Sequence, residues 1–369
     1  MRYCSRCVLP DTKPGVVFDD GVCSACRSVE RKQKIDWPAR EAELRAMCDR
    51  IRGSNGDGYE CIVPVSGGKD SFFQAYMMSR VYKLRTLAVI VAPHLQTIEG
   101  IENLNNLVNV LDVDLIKITI RPSIQQKIRR VALLKVGNPN YAEHRVIFAA
   151  VARAAFFHSA PLVVWGEDIS VEFGGTVAST SASNGSAEEL INNDLFREVG
   201  FSELLGGSIP DRDLFFYMDP SADSGKRRAA ESIYLGYYHW WDGIKHYDLA
   251  KRHGFQARRL GPLSGNVLAY DNIDEKLCEI HLWFKFLKLG FWRATDHCCY
   301  KIWNGYMTRQ EAVERVREVQ YQFPVEYFKE FLEYHQLTES DFWSCAERFR
   351  NLDIWHKING EWRLKNELA

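Results

Sequence analysis

The sequence predicts an α/β protein: a parallel sheet covered by helices, preceded by a four-cysteine module and followed by a mainly helical region. Three observations carry this. Between Tyr59 and Asp168 apolar runs alternate with helical patterns, as in a sheet buried on both faces. Two Cys-x2-Cys pairs stand in the first thirty residues. Toward the end, apolar residues recur at helical spacing. The 369 residues suffice for two or three domains. The boundaries read as a metal-binding module at 1–30, a linker helix at 31–58, a core at 59–240 with an insertion at 169–222, and a helical region at 241–369.

Cys4, Cys7, Cys23 and Cys26 form two pairs with fifteen residues between them. Each two-residue spacer lets a tight turn aim both sulfurs inward, which suits tetrahedral Zn²⁺. So short a segment buries little core, so the metal would hold it together, and four thiolates leave no open position for a substrate. The remaining cysteines lack paired ligand spacing and read as buried small side chains. After the module, Pro38 opens a helix with Leu44, Met47, Cys48 and Ile51 on one face. "GSNGDG" breaks the chain before the core.

In the core, the strands read as Tyr59–Val65, Thr86–Ala92, Val113–Ile120 and Pro161–Asp168. Helices are expected from Lys69, over Ile98–Val110 and over Ala142–His158, the last after a polar link. Parallel sheets bind ligands at the carboxyl ends of their strands. Ser66–Ser71 and Gly166–Asp168 both lie at such ends.

The first of these is S-G-G-K-D-S. Gly67 and Gly68 permit a tight turn and close approach of a ligand to the backbone. The following helix aims its amides and positive end at the same place. Lys69 adds a cation, and Ser66 and Ser71 add hydroxyls. The result is a socket for pyrophosphate, with Asp70 able to help hold Mg²⁺. It is not G-x-x-x-x-G-K-[ST], because only two glycines precede the lysine.

The pattern resembles the PP-loop of the ATP pyrophosphatases, with their adenine nucleotide alpha hydrolase-like fold. That resemblance implies cleavage of ATP between the α- and β-phosphates and transfer of AMP to a substrate. It also implies that Gly166, Glu167 and Asp168 lie beside the nucleotide, Glu167 or Asp168 binding Mg²⁺ or orienting substrate, and that Pro93 and His94 contact adenine or ribose. A helix or turn cap is the plainer reading for Glu167 and Asp168, and a surface position for His94.

Seven stretches, "RYCSRCVLPDTKPGVVFDDGVCSACR", "CIVPVSGGKDS", "APH", "LVVWGED", "YLGYYHWWD", "GFWRATDH" and "NGYMTRQEAVERV", are similar to those of the N-acetyl sugar amidotransferases of surface-glycan biosynthesis, in particular the lipopolysaccharide type. The resemblance implies conversion of an acetamido group to acetamidino on a nucleotide-linked N-acetyl sugar, through an O-adenylyl imidate. It implies two partners, a glutaminase and a barrel protein like the subunits of imidazole glycerol phosphate synthase. The chain itself shows no activated cysteine elbow that would make it its own glutaminase. A tRNA thiolase is the other enzymatic reading, but no cysteine lies between Ser66 and Lys276 to carry sulfur. A zinc-bearing nucleotide-binding scaffold is the non-enzymatic one.

Downstream, Ile169–Ala222 is rich in Gly, Ser and Asn and reads as a surface insertion or lid. Tyr237, Tyr238, Trp240 and Trp241 could stack on a sugar or base, with core packing the simpler role. Asp242 is placed to cap a helix. Arg293 could clamp a phosphate, and Asp296 and His297 could carry protons. Thr308 and Glu311 have capping-box spacing, and Asn359-Gly360 marks a hairpin.

Net charge is −1, with 46% hydrophobic and 26% charged residues, which gives nucleic acid or an anionic membrane no global field to meet. The N-terminal stretch lacks the apolar core of a signal peptide, and no apolar run is long enough to span a bilayer. The expectation is a cytoplasmic protein with no nucleic-acid or membrane partner, for which self-association is left open.

Overall fold

The computed structural model describes residues 1–174, 199–218 and 230–369. Its centre is a five-stranded, all-parallel sheet of β1 (Cys61–Pro64), β2 (Thr86–Val91), β3 (Asp114–Ile118), β4 (Leu162–Trp165) and β5 (Glu231–Tyr234). The spatial order is β3-β2-β1-β4-β5. Winding therefore proceeds outward in both directions from β1, and the crevice between the carboxyl ends of β1 and β4 is where such a sheet binds ligands. The S-G-G-K-D-S turn leaves β1 and Gly166 leaves β4, so the topology puts both on that crevice. The central strands are fully apolar where they cross the sheet: Cys61, Ile62, Val63 and Leu162–Val164 are buried, as helices on both faces require.

The helices of the core are α3 (Lys69–Tyr76), which continues as a π-helical turn, α4 (Ile98–Leu111), α5 (Pro122–Val136) and α6 (Glu143–His158). The stretch expected to be a polar link contains all of α5. Proline opens this helix and Gly137, at φ +60°, ends it. Its inner face hides its periodicity because it carries a charge: Arg129 is buried and pairs with Glu143 (2.8 Å) and Glu275 (2.5 Å). Beyond the four expected strands, β5 adds an edge strand. Only Ile233 in it is fully buried, so its sequence has no sustained apolar run.

In the module, Cys23 caps α1 (Ser24–Lys32), and Asp36 caps the following α2 (Trp37–Ile51). The module packs against the far end of the chain. Cys4, Val8, Leu9 and Cys26 share one buried cluster with Phe291, Cys298, Cys299, Val313 and Val316. Cys298 and Cys299 are thus buried among apolar side chains, as expected of unpaired cysteines. A buried ion pair, Lys32 Nζ to Glu172 Oε1 at 2.6 Å, ties α1 to the short α7 (Ile169–Phe173) that follows β4.

The C-terminal region contains α8 (Gly243–Arg252), α9 (Cys278–Leu289), α10 (Arg293–Trp303), α11 (Arg309–Val319), α12 (Phe328–His335) and α13 (Glu339–Phe349). Asp242 caps α8, and Thr308 and Glu311 form the capping box of α11. A hairpin closes the chain through Asn359 (φ +51°) and Gly360 (φ +86°). Of the insertion at 169–222, residues 175–198 and 219–222 fall outside the described residues, so a lid there is not described. Among the described residues no helix is long and apolar enough to cross a membrane.

Candidate active site

The turn after β1 is fixed by its own side chains. Ser66 N–H donates to Ser71 Oγ (3.2 Å), Ser71 Oγ–H to the Gly68 carbonyl (3.0 Å), and Gly68 N–H to Ser66 Oγ (3.2 Å). Gly67 sits at φ +90°, and a Cβ there would lie 2.5 Å from the Gly100 carbonyl oxygen. Both the conformation and the space demand glycine. No side chain caps the first turn of α3, which leaves that turn's amides for a ligand.

Lys69 and Asp70 open α3. Lys69 Nζ lies 2.8 Å from Asp70 Oδ2 and 2.7 Å from Asp271 Oδ1. Asp70 Oδ1 meets His246 Nδ1 of α8 at 2.8 Å, and Phe73 stacks on the imidazole at 3.9 Å. Burial alone would raise the Asp70 pKa, but Lys69 and His246 hold it well below the usual carboxylate range.

Asp271 is the hub between the two halves of the chain. Its Oδ2 accepts from His297 Nε2 at 3.0 Å and pairs with the guanidinium of Arg293. His297 Nδ1 accepts the Val267 amide proton (3.3 Å), so the neutral ring carries its hydrogen on Nε2 and donates it to Asp271. Burial, with Arg293 beside it, pushes the imidazole pKa well below its ordinary value, which keeps the ring neutral.

On the β4 side, Glu167 accepts a hydrogen bond from Tyr300 Oη (2.9 Å). Burial, with Glu172 nearby, raises the Glu167 pKa to about 7. The Tyr300 phenol is pushed well above its ordinary value by burial and by Glu167, so it stays a donor. Lys13, from the loop between the cysteine pairs, reaches the same region. Its Nζ sits 4.5 Å over the Phe173 ring, and burial and Lys285 pull its pKa down to about 8.

Lys69, Asp70, Glu167, Asp271, Arg293, His297 and Tyr300 line a cavity of about 380 Å³, together with Gln74, Trp241, Tyr270 and Asn304. Lys69, Gly243 and Arg293, the first residues of α3, α8 and α10, all line it. Three helix starts and three cations, Lys69, Arg293 and Lys301, thus face one space that also carries Asp70, Glu167 and Asp271. That combination suits a polyanion bound through a divalent metal.

Of the residues singled out in the sequence, the cavity brings together Lys69, Asp70, Gly166, Glu167, Trp241, Arg293 and His297. Ser66, Gly67, Gly68 and Ser71 build the turn that sets Lys69. Asp168 caps α7, accepting from the Ser170 and Val171 amides, which is the plainer of its two expected roles. Pro93 and His94 are not among the lining residues. His94 is exposed and meets Tyr334 edge-on at 5.2 Å. Asp296 pairs with Lys285 (2.7 Å). Asp271, His246 and Tyr300 were not singled out: "YDNID" reads as a turn, and neither His246 nor Tyr300 stands in a motif.

The four cysteine sulfurs of the module lie within 4.8 Å of one another. Cys4–Cys26 and Cys7–Cys23 are 3.8 and 3.7 Å apart. A tetrahedron with Zn–S bonds of about 2.3 Å has edges of about 3.8 Å, so the thiols match the metal. Backbone amides of Arg6, Leu9, Cys23 and Cys26 point at the sulfurs at 3.3–3.5 Å, which suits thiolates.

Residues 231–369 match the family model of the C-terminal domain of WbpG-like LPS biosynthesis proteins. Among solved structures the chain is similar to an NH3-dependent NAD synthetase from Campylobacter jejuni subsp. jejuni NCTC 11168 in complex with the nitrate ion. Identity is 16%, the TM-score is 0.30, and 52% of this chain and 93% of that one are covered. It is also similar to NMN synthetase from Francisella tularensis, with 14% identity, a TM-score of 0.29 and coverage of 53% and 98%. No curated protein matches.

Proposed function

With residues 231–369 forming a WbpG-like C-terminal domain of LPS biosynthesis proteins, we propose that this chain is an ATP-dependent amidotransferase that converts the acetamido group of a nucleotide-linked N-acetyl sugar to acetamidino. The observation that carries this reading is the meeting, in one cavity, of the S-G-G-K-D-S turn with Asp271, Arg293 and His297 of that domain.

An amide carbonyl is a poor electrophile because its nitrogen donates into it. In the proposed reaction the amide oxygen attacks the α-phosphorus of ATP, and the bond to the β-phosphate oxygen breaks. Pyrophosphate leaves toward the glycine turn, the α3 amides and Lys69. Arg293 offers its fork to phosphate oxygens. Ammonia then adds to the imidate carbon, the C–O bond breaks, and AMP departs with the former amide oxygen. A proton must leave the added nitrogen, and Glu167, with its pKa near 7, is placed to accept it. Neutral His297 holds Asp271, and Asp271 holds Lys69. Most of the rate enhancement asked of these residues is positioning and charge stabilisation.

Asp70 and Asp271 offer the hard oxygen donors that Mg²⁺ takes, which leaves Glu167 to accept the proton. When bound, Mg²⁺ would neutralise charge on the departing pyrophosphate. The four cysteines would hold a structural Zn²⁺. Ammonia would come from a separate glutaminase chain, with a barrel protein as second partner. Thiolation fits less well: among the described residues, none of those lining the cavity is a cysteine.

The test is isotopic. Purified protein is incubated with ATP, Mg²⁺, ammonium and a UDP-linked N-acetyl sugar labelled with ¹⁸O in the acetamido group. AMP carrying the label, and unlabelled pyrophosphate, are expected. ADP and phosphate as products, or AMP without label, overturn the reading.

A further inference from the structure

A second cavity, of about 370 Å³, shares a wall with the first. Along residues 240–243 the chain serves both spaces in alternation: Trp240 and Asp242 line the second cavity, Trp241 and Gly243 the first. The backbone there is extended at His239 and Asp242, which sends successive side chains to opposite sides. At the end of α10, Lys301 lines the first cavity, Ile302 and Trp303 the second, and Asn304 lines both. Asn304 is held in place: Trp240 Nε1–H donates to its Oδ1 at 2.8 Å, and its Nδ2 donates to the Tyr300 carbonyl at 3.0 Å.

The chemistry of the second cavity differs from that of the first. It presents the rings of Trp240, Trp303 and Tyr306 and the polar groups of Gln33, Asp242 and Asn304. Aromatic faces pack on the C–H faces of a pyranose, while amides and carboxylates take its hydroxyl hydrogens. Tyr306 Oη already donates to Asp242 Oδ2 (2.9 Å), which fixes the carboxylate at the wall. A buried carboxylate disfavours phosphate in the same space. Lys245, whose side chain is 74% exposed, supplies the cation on the solvent side, where a diphosphate would emerge.

We propose that this second cavity seats the pyranose ring of an N-acetylated sugar, its acetamido group reaching past Asn304 to the glycine turn. The direction of the acetamido group rests on the amidotransferase reading; the seat for the ring does not. Part of its wall comes from α1 of the cysteine module and the residue that ends it, because Val29 and Gln33 line it.

UDP-N-acetylglucosamine is the probe, titrated calorimetrically into the full-length protein without ATP. The wild type is expected to bind it. Tyr306→Ala and Gln33→Ala, both at exposed positions, are each expected to weaken binding about tenfold while leaving the affinity for α,β-methylene-ATP within about twofold. Unchanged thermal melting checks that the variants are folded. No binding by the wild type, or no weakening in either variant, overturns the proposal even if ¹⁸O reaches AMP. If label transfer fails but the probe binds and both variants weaken it, the sugar seat stands and the amidotransfer reading falls.

Discussion

Asp271 Oδ1 lies 2.7 Å from Lys69 Nζ, across 202 residues of sequence, and the two side chains are only 19% and 8% exposed. The lysine of the glycine turn is therefore set by the C-terminal domain and not by its own helix alone.

Removing this carboxylate leaves Lys69 with Asp70 alone and Arg293 with only the more distant Asp296, at 3.9 Å, in a half-dry site. Asp271→Ala is expected to destabilise the protein by about 3–5 kcal/mol, as breaking one side of a buried ion pair does. Asp271→Asn, which keeps the shape and the acceptor oxygen, should cost less. Urea unfolding measures the first effect. Pyrophosphate release measures the second, with Asp271→Asn expected to be slow but folded. Equal stability of all three proteins would contradict the hub role of Asp271.

Gly67→Ala meets two obstacles, a φ of +90° and a Cβ 2.5 Å from the Gly100 carbonyl. The expected strain is about 1–3 kcal/mol. Relief requires the turn to move away from α4, so nucleotide affinity should fall more than stability. Calorimetric titration with α,β-methylene-ATP, set beside a thermal melt, separates the two.

The activity should rise with pH through the pKa of Glu167, near 7, because only the carboxylate accepts a proton. The hydrogen bond from Tyr300 lowers that pKa, so Tyr300→Phe should move the acid limb of the rate profile to higher pH. Glu167→Gln should remove the limb and lower the rate about 10²–10⁴-fold. The same shift acts on stability with a fixed sign. The folded protein keeps a proton that the unfolded chain releases from its ordinary value of 4.5, so this group's contribution falls as pH rises from there to about 7. Urea midpoints across that range should slope less in Glu167→Gln.

Purified protein should contain one zinc per chain by elemental analysis, lost in Cys23→Ser. Chelation is expected to lower the melting temperature of the whole protein and not merely loosen an N-terminal tail. The reason is that Cys4, Cys7, Cys23 and Cys26 share a buried cluster with Phe291, Ala294, Val313 and Val316. A melt insensitive to chelator, with zinc demonstrably gone, would count against this.

Much of this was legible in the sequence because its signals are local. The apolar runs of β1, β2 and β4, the cysteine spacing, and the S-G-G-K-D-S turn each lie within a short window. Asp242 and Thr308 announce helix starts for the same reason. What was not legible depends on distant partners. α5 was masked because Arg129 on its inner face is neutralised by Glu143 and Glu275, the latter more than a hundred residues away. β5 is an edge strand with one fully buried residue, too weak a signal to stand alone. Arg293 and His297 were visible as candidates, but Asp271, which joins them to Lys69, is an ordinary acidic residue in a turn-like stretch until the fold supplies its neighbours.

The packing of the cysteine module on α10 and α11 also has a consequence for how the molecule is made. The module is synthesised long before the apolar surface it covers, which belongs to residues 291–319 and to Leu368. Contacts so distant along the chain are slow to form, and domains fold in order of synthesis. Between synthesis of the module and synthesis of that surface, a bound Zn²⁺ would be the nascent module's main source of order, and the cavity can close only after the C-terminal domain has been made.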